Sequence, residues 1–262
     1  MIALLPSRTV AAEILGFPIH WYGIMYLAAF LLAWYLLPRL QHHRDLRLTK
    51  DDWSTVLSWA VIGVIAGGRL GYAVFYALPL MLEEPLRIFA VWQGGMSFHG
   101  GFLGCTAAIL WALRGRSLDA ILRMGDVIVV PVALGLALGR IGNFINGELY
   151  GPVTSLPWAV EFPGVEGARH PTQLYACMKD LLIAFCCWLH LRSARPAVPG
   201  RTWALFMMMY GVLRFLVEYV RIPDVALTDL GLFALTRGQL LSVPVFLLGA
   251  WLWTWAGRRR AR

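Results

Sequence analysis

The sequence predicts an all-α polytopic membrane protein, with seven transmembrane helices in a single integral domain covering residues 1–262. Three observations lead there. The chain is 59% hydrophobic and only 15% charged, with 12 tryptophans and a mean hydropathy of +0.63, too apolar for a water-soluble domain of this length. Its apolar residues fall into seven runs of about the 20 residues that a helix needs to cross a bilayer. Its basic residues gather beside every second gap between those runs.

In chain order the spans lie at roughly 18–38, 54–78, 97–113, 120–142, 172–191, 202–220 and 238–256, their limits set by the hydropathy window. The first run is longer than a signal-peptide core, follows no immediately preceding basic segment and leads into no small-x-small cleavage site, so it is expected to be retained as a helix. The gaps after spans one, three and five carry Arg39, Arg44, Arg47 and Lys50, then Arg114, Arg116 and Arg123, then Arg192, Arg195 and Arg201, and the tail adds Arg258, Arg259, Arg260 and Arg262. These are fourteen of the 23 basic residues. The other side collects Arg8, Arg87, Arg169, Arg221 and Arg237. Basic loops stay cytoplasmic, which puts the N-terminus outside (periplasmic) and the C-terminus in the cytoplasm, in agreement with an odd number of spans. A Gly- and Pro-containing segment at about 143–171, between spans four and five, is expected as a small outward elaboration.

Trp21, Tyr22, Trp53, Trp92, Trp203, Trp251, Trp253 and Trp255 stand near expected span ends, where aromatic rings form interfacial belts or pack. The spacings Gly63-x-x-x-Gly67, Gly67-x-x-x-Gly71 and Gly135-x-x-x-Gly139 would let helix backbones approach closely. Cys105, Cys177, Cys186 and Cys187 lie in apolar segments without a C-x-x-C pair or a histidine at metal spacing, so they read as small buried hydrophobes, and no metal site is expected. The net charge of +8 comes with no nucleic-acid recognition motif, so the arginines are assigned to topology and no nucleic-acid partner is expected.

Once the loop charges are set aside, Arg69, His99, Asp126, Arg140, Glu148, Lys179, Arg214 and Glu218 remain within or at the edge of the spans. An ionisable group in hydrocarbon is a functional candidate, with a structural rival in each case. Arg214 and Glu218, spaced i, i+4, would also form an intrahelical ion pair. Arg69 would snorkel outward or brace a neighbouring helix. Asp126 and Lys179 are read as structural. His99, in "GGMSFHGG", is either a satisfied turn residue or a sterically open one.

The outward ends of the spans concentrate the rest. His99 opens span three, Arg140–Glu148 closes span four, "RHPTQLY" (Arg169–Tyr175) opens span five, and Tyr210, Arg214 and Glu218 lie in the outward half of span six. Two or three arginines at head-group depth suit a phosphate, because a guanidinium binds phosphoryl oxygens bidentately and keeps its charge. Asn143 and Asn146 add neutral donors, and the glycines permit close backbone approach. The natural ligand at that depth is a phospholipid.

The stretch "GRIGNFINGELYG", Gly139–Gly151, resembles the signature of the bacterial prolipoprotein diacylglyceryl transferases, matching Gly-Arg-x-Gly-Asn-Phe-x-Asn-x-Glu-x-x-Gly throughout. The resemblance continues through "HWYGIMY" at 20–26, "GGRLGYAVFY" at 67–76, "GGMSFHGGFLG" at 94–104, "HPTQLY" at 170–175 and "YGVLRFLVEYVRIPD" at 210–224. Phe102 and Ala176 depart from the residues usual at those places, an aliphatic residue and a glutamate.

The resemblance implies a seven-span enzyme of the bacterial inner membrane that moves the diacylglyceryl group of phosphatidylglycerol onto the thiol of the lipobox cysteine in a preprolipoprotein signal peptide. The products are a thioether and glycerol phosphate. Such chemistry asks for a deprotonated thiol, whose free pKa is about 8.5, and for stabilisation of the departing phosphate. By resemblance Arg140 and Arg214 hold that phosphate and His99 is the candidate base, a task that Glu148 or a water could also perform. Asn143, Asn146, Glu148 and Gly151 shape the head-group pocket, and Tyr26 and Tyr210 orient lipid or peptide. The partners are then phosphatidylglycerol, the lipobox peptide and membrane lipid, with no metal or organic cofactor expected.

A phospholipid flippase or anion transporter would also place arginines in the membrane, but is expected to carry broken helices or repeats in both halves. A structural scaffold would not explain polar clusters at four outward ends. An intramembrane protease finds neither H-E-x-x-H nor G-x-S-x-G here.

Overall fold

The structure, a computed structural model, describes residues 9–14, 16–90, 94–194, 196–222, 228–229 and 234–260. The expectations for Arg8, Trp92, Arg195 and Arg262 lie outside them. The described residues form α1 (Trp21–Leu40), α2 (Lys50–Phe75), α3 (Leu78–Glu83), α4 (Phe98–Ala112), α5 (Leu118–Asn146), α6 (Thr172–Ser193), α7 (Arg201–Val217) and α8 (Arg237–Arg260). Two short antiparallel hairpins pair β1 (Val10–Ile14) with β2 (Phe17–His20) and β3 (Thr228–Asp229) with β4 (Ala234–Leu235).

Among the described residues six helices are long and apolar enough to cross a membrane: Trp21–Arg44, Lys50–Phe75, Leu118–Asn146, Thr172–Ser193, Arg201–Val220 and Arg237–Arg259. The protein is therefore read as multi-pass. The third expected span differs. Helix α4 has 15 residues, which at 1.5 Å per residue is about 22 Å against a hydrocarbon core of about 30 Å. Glycines in left-handed backbone bound it, Gly94 (φ 80°) and Gly95 (φ 75°) before and Gly115 (φ 83°) after, a conformation that hydropathy does not register.

Two groups of residues are each compact, one made of the chain up to Leu46 and from Leu122 onward, the other of Arg47–Ile121. In the second group, α2 opens on a capping box. Thr49 Oγ1 accepts from the Asp52 N–H (3.1 Å) and Asp52 Oδ2 from the Thr49 N–H (2.9 Å), satisfying two of the donors that a helix start leaves free. Helices α2 and α4 then meet backbone to backbone. A Cβ on Gly63 would lie 2.8 Å from Cys105 Cα, on Gly67 2.7 Å from Gly104 Cα and on Gly71 2.8 Å from Gly100 Cα. Two of the expected small-residue spacings thus form one contact, completed by Gly100-x-x-x-Gly104 on α4. The third does so only at Gly135, where a Cβ would lie 3.2 Å from Ala29 Cβ on α1, while a Cβ on Gly139 would meet nothing within 4 Å.

Arg69 is buried on α2 and braces backbone. It donates to the carbonyls of Ile88 (3.0 Å) and Gly95 (3.1 Å), and also to those of Arg87 and Gly94. The bracing alternative therefore holds: Arg69 braces a short 3-10 helix, Pro85–Phe89, and the glycines that precede α4.

In the first group, Leu122, Ala204 and Leu252 form a core against which Trp203, Met207, Trp253 and Trp255 pack, so these tryptophans serve as packing. Beside them Arg44 and Asp126, both 0% exposed, form an ion pair of 2.8 Å. Asp126 also accepts from the N–H groups of Gly200 (3.0 Å) and Trp203 (2.9 Å) at the start of α7. Arg44 donates to Leu191 O (3.0 Å) and Thr202 Oγ1 (2.5 Å). Asp126 is structural, as expected. Arg44, expected as a loop charge, is its buried partner, a pairing between residues 82 positions apart that no local pattern announces.

Candidate functional site

Helix α5 runs on to Asn146, so the Arg140–Asn146 stretch is helical and places Arg140 and Asn143 one turn apart. Arg140 Nη1 donates to Asn143 Oδ1 at 3.4 Å, a long and weak contact. The helix stops at Gly147 (φ 71°), with Gly147 N–H donating to Phe144 O (3.1 Å) and Glu148 N–H to Asn143 O (3.0 Å), the paired bonds of a Schellman termination. Leu149 follows with φ 58°, a left-handed conformation that costs a branched residue energy and persists where neighbours hold it. The holders come from the start of α6. Thr172 Oγ1 donates to Leu149 O (2.6 Å) and Gln173 Nε2 to Glu148 O (2.5 Å).

This turn aims Glu148 back over the end of α5. Its Oε2 accepts from Tyr22 Oη (2.9 Å) and, at 3.4 Å, from Asn143 Nδ2, and its Oε1 accepts from Asn146 Nδ2 (3.1 Å). Asn143 Nδ2 also donates to Tyr22 Oη. Gly151 closes the turn. Its N–H donates to His170 O (2.9 Å), and a Cβ there would stand 2.8 Å from both His170 Cβ and Thr172 Cγ2 and overlap the Val220 carbonyl. Only glycine fits that approach.

The other wall comes from α6 and α7. Lys179 is ion-paired with Asp180, both buried, and Asp180 Oδ2 lies 4.0 Å from Arg140 Nε. Lys179 Nζ sits 4.5 Å from the centroid of the Tyr210 ring. Arg214 is ion-paired with Glu218, whose carboxylate abuts Gly238 in the first turn of α8. A box between Thr236 and Gln239 caps that turn, Thr236 N–H to Gln239 Oε1 (3.0 Å) and Gln239 N–H to Thr236 Oγ1 (3.1 Å). A carboxylate beside a helix N-terminus is favourably placed.

Arg140, Arg214 and Arg221, together with Asn143 and Gln173, line one cleft. Around it stand four cations, Arg140, Lys179, Arg214 and Arg221, and three carboxylates, Glu148, Asp180 and Glu218. The excess of one positive charge suits a ligand with one negative charge, such as a phosphodiester, which guanidinium groups bind with matched geometry.

Of the residues expected at a site, Arg140, Asn143, Asn146, Glu148, Gly151 and Arg214 are brought together, and Tyr210 joins them through Lys179. Tyr26 is one helical turn from Tyr22 but 52% exposed. His99 is exposed in the first turn of α4, within the group Arg47–Ile121. Four members were not anticipated. Tyr22 was expected as a belt aromatic, Arg221 as a loop charge, Gln173 only as part of a matched segment, and Asp180 not at all. For Asp180 the available signal was an acid in an apolar run next to Lys179.

The chain is similar to known proteins over most of its length. The family model for prolipoprotein diacylglyceryl transferase matches residues 9–255. The phosphatidylglycerol–prolipoprotein diacylglyceryl transferase of Geobacter sulfurreducens is 45% identical over 245 residues, 92% of this chain and 92% of that protein. The protein of the same name from Pseudomonas aeruginosa is 44% identical over 254 residues, 96% of this chain and 94% of that protein. That from Rhodospirillum centenum is 45% identical over 255 residues, 93% of this chain and 89% of that protein. With the match running from β1 nearly to the end of α8, the chain belongs to the prolipoprotein diacylglyceryl transferase family.

Proposed function

We infer that this chain transfers the diacylglyceryl group of phosphatidylglycerol to the thiol of the lipobox cysteine of a preprolipoprotein, the first step of lipoprotein maturation. The observation that carries the reading is the single cleft in which Arg140, Arg214 and Arg221 face Asn143 and Gln173, in a chain of this family. The lipid phosphate lies against Arg140 and Arg214. The sulfur attacks the glyceryl carbon that bears the phosphate, a C–S bond forms as the C–O bond breaks, and the electron pair leaves with glycerol phosphate. The two guanidinium groups stabilise the charge that builds on the departing oxygen. The thiol proton passes to a base, for which His99 is the candidate. Asn143, Asn146, Glu148 and Gly151 shape the pocket, while Tyr26 and Tyr210 orient lipid or peptide.

The reading extends to topology. The chain forms one integral domain of the bacterial inner membrane, with α4 as the seventh, short crossing, the N-terminus periplasmic and the C-terminus cytoplasmic. The arginine-rich gaps after α1, α4 and α6 support that orientation. The segment 147–171 then faces the periplasm, where the lipobox peptide is presented.

Product analysis tests this. Purified protein in detergent, given phosphatidylglycerol and a lipobox peptide, is expected to yield a diacylglyceryl adduct by mass spectrometry on the Cys peptide and none on its Ser counterpart. Arg140→Ala is expected to lower the rate by about 10²–10³, the usual loss for a transition-state charge donor. A folded wild-type protein that forms no adduct would sink the assignment.

A further inference from the structure

Gln173 has an unusual hydrogen-bond balance. It is 2% exposed in the first turn of α6 and lines the cleft with Arg140 and Arg214. Its Nε2 donates to Glu148 O at 2.5 Å. A carbonyl only accepts, so that bond fixes which end of the amide is nitrogen and leaves Oε1 as the other. Oε1 is buried and has no hydrogen-bond partner. The hydroxyl nearest in sequence, Thr172 Oγ1, already donates to Leu149 O. A buried acceptor left unpaired is costly, and where it borders a cleft the missing donor is expected from the ligand.

We propose that Gln173 is a specificity-determining residue, whose amide oxygen accepts a hydrogen bond from a head-group hydroxyl of the lipid held by Arg140 and Arg214. The proposal rests on the transferase reading above and adds which part of the lipid Gln173 recognises. The cleft pairs guanidinium donors with one neutral acceptor, so a fitting ligand carries a phosphodiester anion joined to a hydroxyl. A glycerol head group has both. Choline has no donor to offer, and ethanolamine offers one only by bringing a positive charge among three arginines. Gln173 therefore rewards the polyol, while the arginines disfavour the cationic head groups.

The test compares phosphatidylglycerol with phosphatidylethanol, using full-length protein in detergent and the lipobox Cys peptide. Both lipids carry one phosphodiester charge and release an alkyl phosphate, so their intrinsic reactivity is matched and only the hydroxyls differ. The wild-type kcat/KM is expected to favour phosphatidylglycerol about tenfold, the effect of one hydrogen bond. In Gln173→Met that preference is expected to fall to about one. A purely structural role, through the lost bond to Glu148 O, would slow both lipids equally and leave the ratio intact. If the variant turns over too slowly, the same ratio is read from retention of the two lipids by the folded protein in native mass spectrometry. An unchanged ratio in Gln173→Met, or no preference in the wild type, overturns the proposal while the transferase reading stands. Wild-type protein that reacts with neither lipid overturns both.

Discussion

Gly238→Ala should impair transfer without unfolding the protein, although Gly238 does not line the cleft. The capping box of Thr236 and Gln239 fixes Gly238 as the second residue of α8, and the Glu218 carboxylate packs onto it. A methyl group added there would stand 2.8 Å from Glu218 Cδ and 2.7 Å from Oε1. Ordinary carbon contacts begin at about 3.5 Å, so the carboxylate must retreat by about 0.7 Å. Its displacement carries the paired Arg214 with it. A misplacement of about 1 Å costs on the order of 10²-fold in rate, so a loss of ten- to a hundredfold in kcat/KM for adduct formation is expected. Stability should hardly change, because the obstructing atoms are the far end of a flexible side chain. The assay is the mass-spectrometric transfer reaction, run beside a thermal unfolding curve in the same detergent. If Gly238→Ala keeps wild-type activity while Arg214→Ala is inactive, Glu218 does not position the guanidinium and the reasoning fails.

Three further outcomes follow from the described geometry. Asp126→Ala strands Arg44 in a fully buried site and should cost about 3–5 kcal/mol, whereas the double change Arg44→Met with Asp126→Leu should cost less than either single change; unfolding temperatures in detergent decide it, and simple additivity of the singles would count against the pairing. Gly67→Ala drives a methyl group into the backbone of α4 and should destabilise by about 1–3 kcal/mol, while Gly23→Ala, where a Cβ meets nothing within 4 Å, serves as a neutral control in the same melt. Tyr22→Phe removes the hydroxyl that donates to Glu148 and should lower kcat/KM about tenfold, as expected for a hydrogen bond to a charged acceptor, with the unfolding temperature unchanged.

What the sequence discloses depends on how local the governing physics is. Arg140, Asn143 and Glu148 stand out because polar groups at the end of an apolar run demand a reason within a few residues. Six long spans are legible for the same cause, since burial in lipid is written as composition. Tyr22 is not legible, because its acceptor lies 126 positions away and an aromatic at a span end already has an ordinary explanation. Arg44 hides likewise among loop arginines until Asp126 is brought to it. Asp180 stands beside Lys179, which the apolar run makes visible, but its approach to Arg140, 40 positions away, is not written locally. The shortness of α4 escapes because a hydropathy window reads residue types and not the left-handed glycines that bound the helix.

Arg69 bears on how the chain is held as it leads into the 15 residues of α4. Backbone outside a regular α-helix leaves carbonyl oxygens that cannot enter hydrocarbon bare. The Arg69 guanidinium gathers the carbonyls of Arg87, Ile88, Gly94 and Gly95, and Ser97 N–H finds Gly68 O at 2.9 Å. One side chain thus ties the 3-10 turn at Pro85–Phe89 to the two glycines that precede α4. Carbonyls bound in this way carry less desolvation cost than bare ones, so Gly94 and Gly95 keep their left-handed backbone with their carbonyl oxygens satisfied.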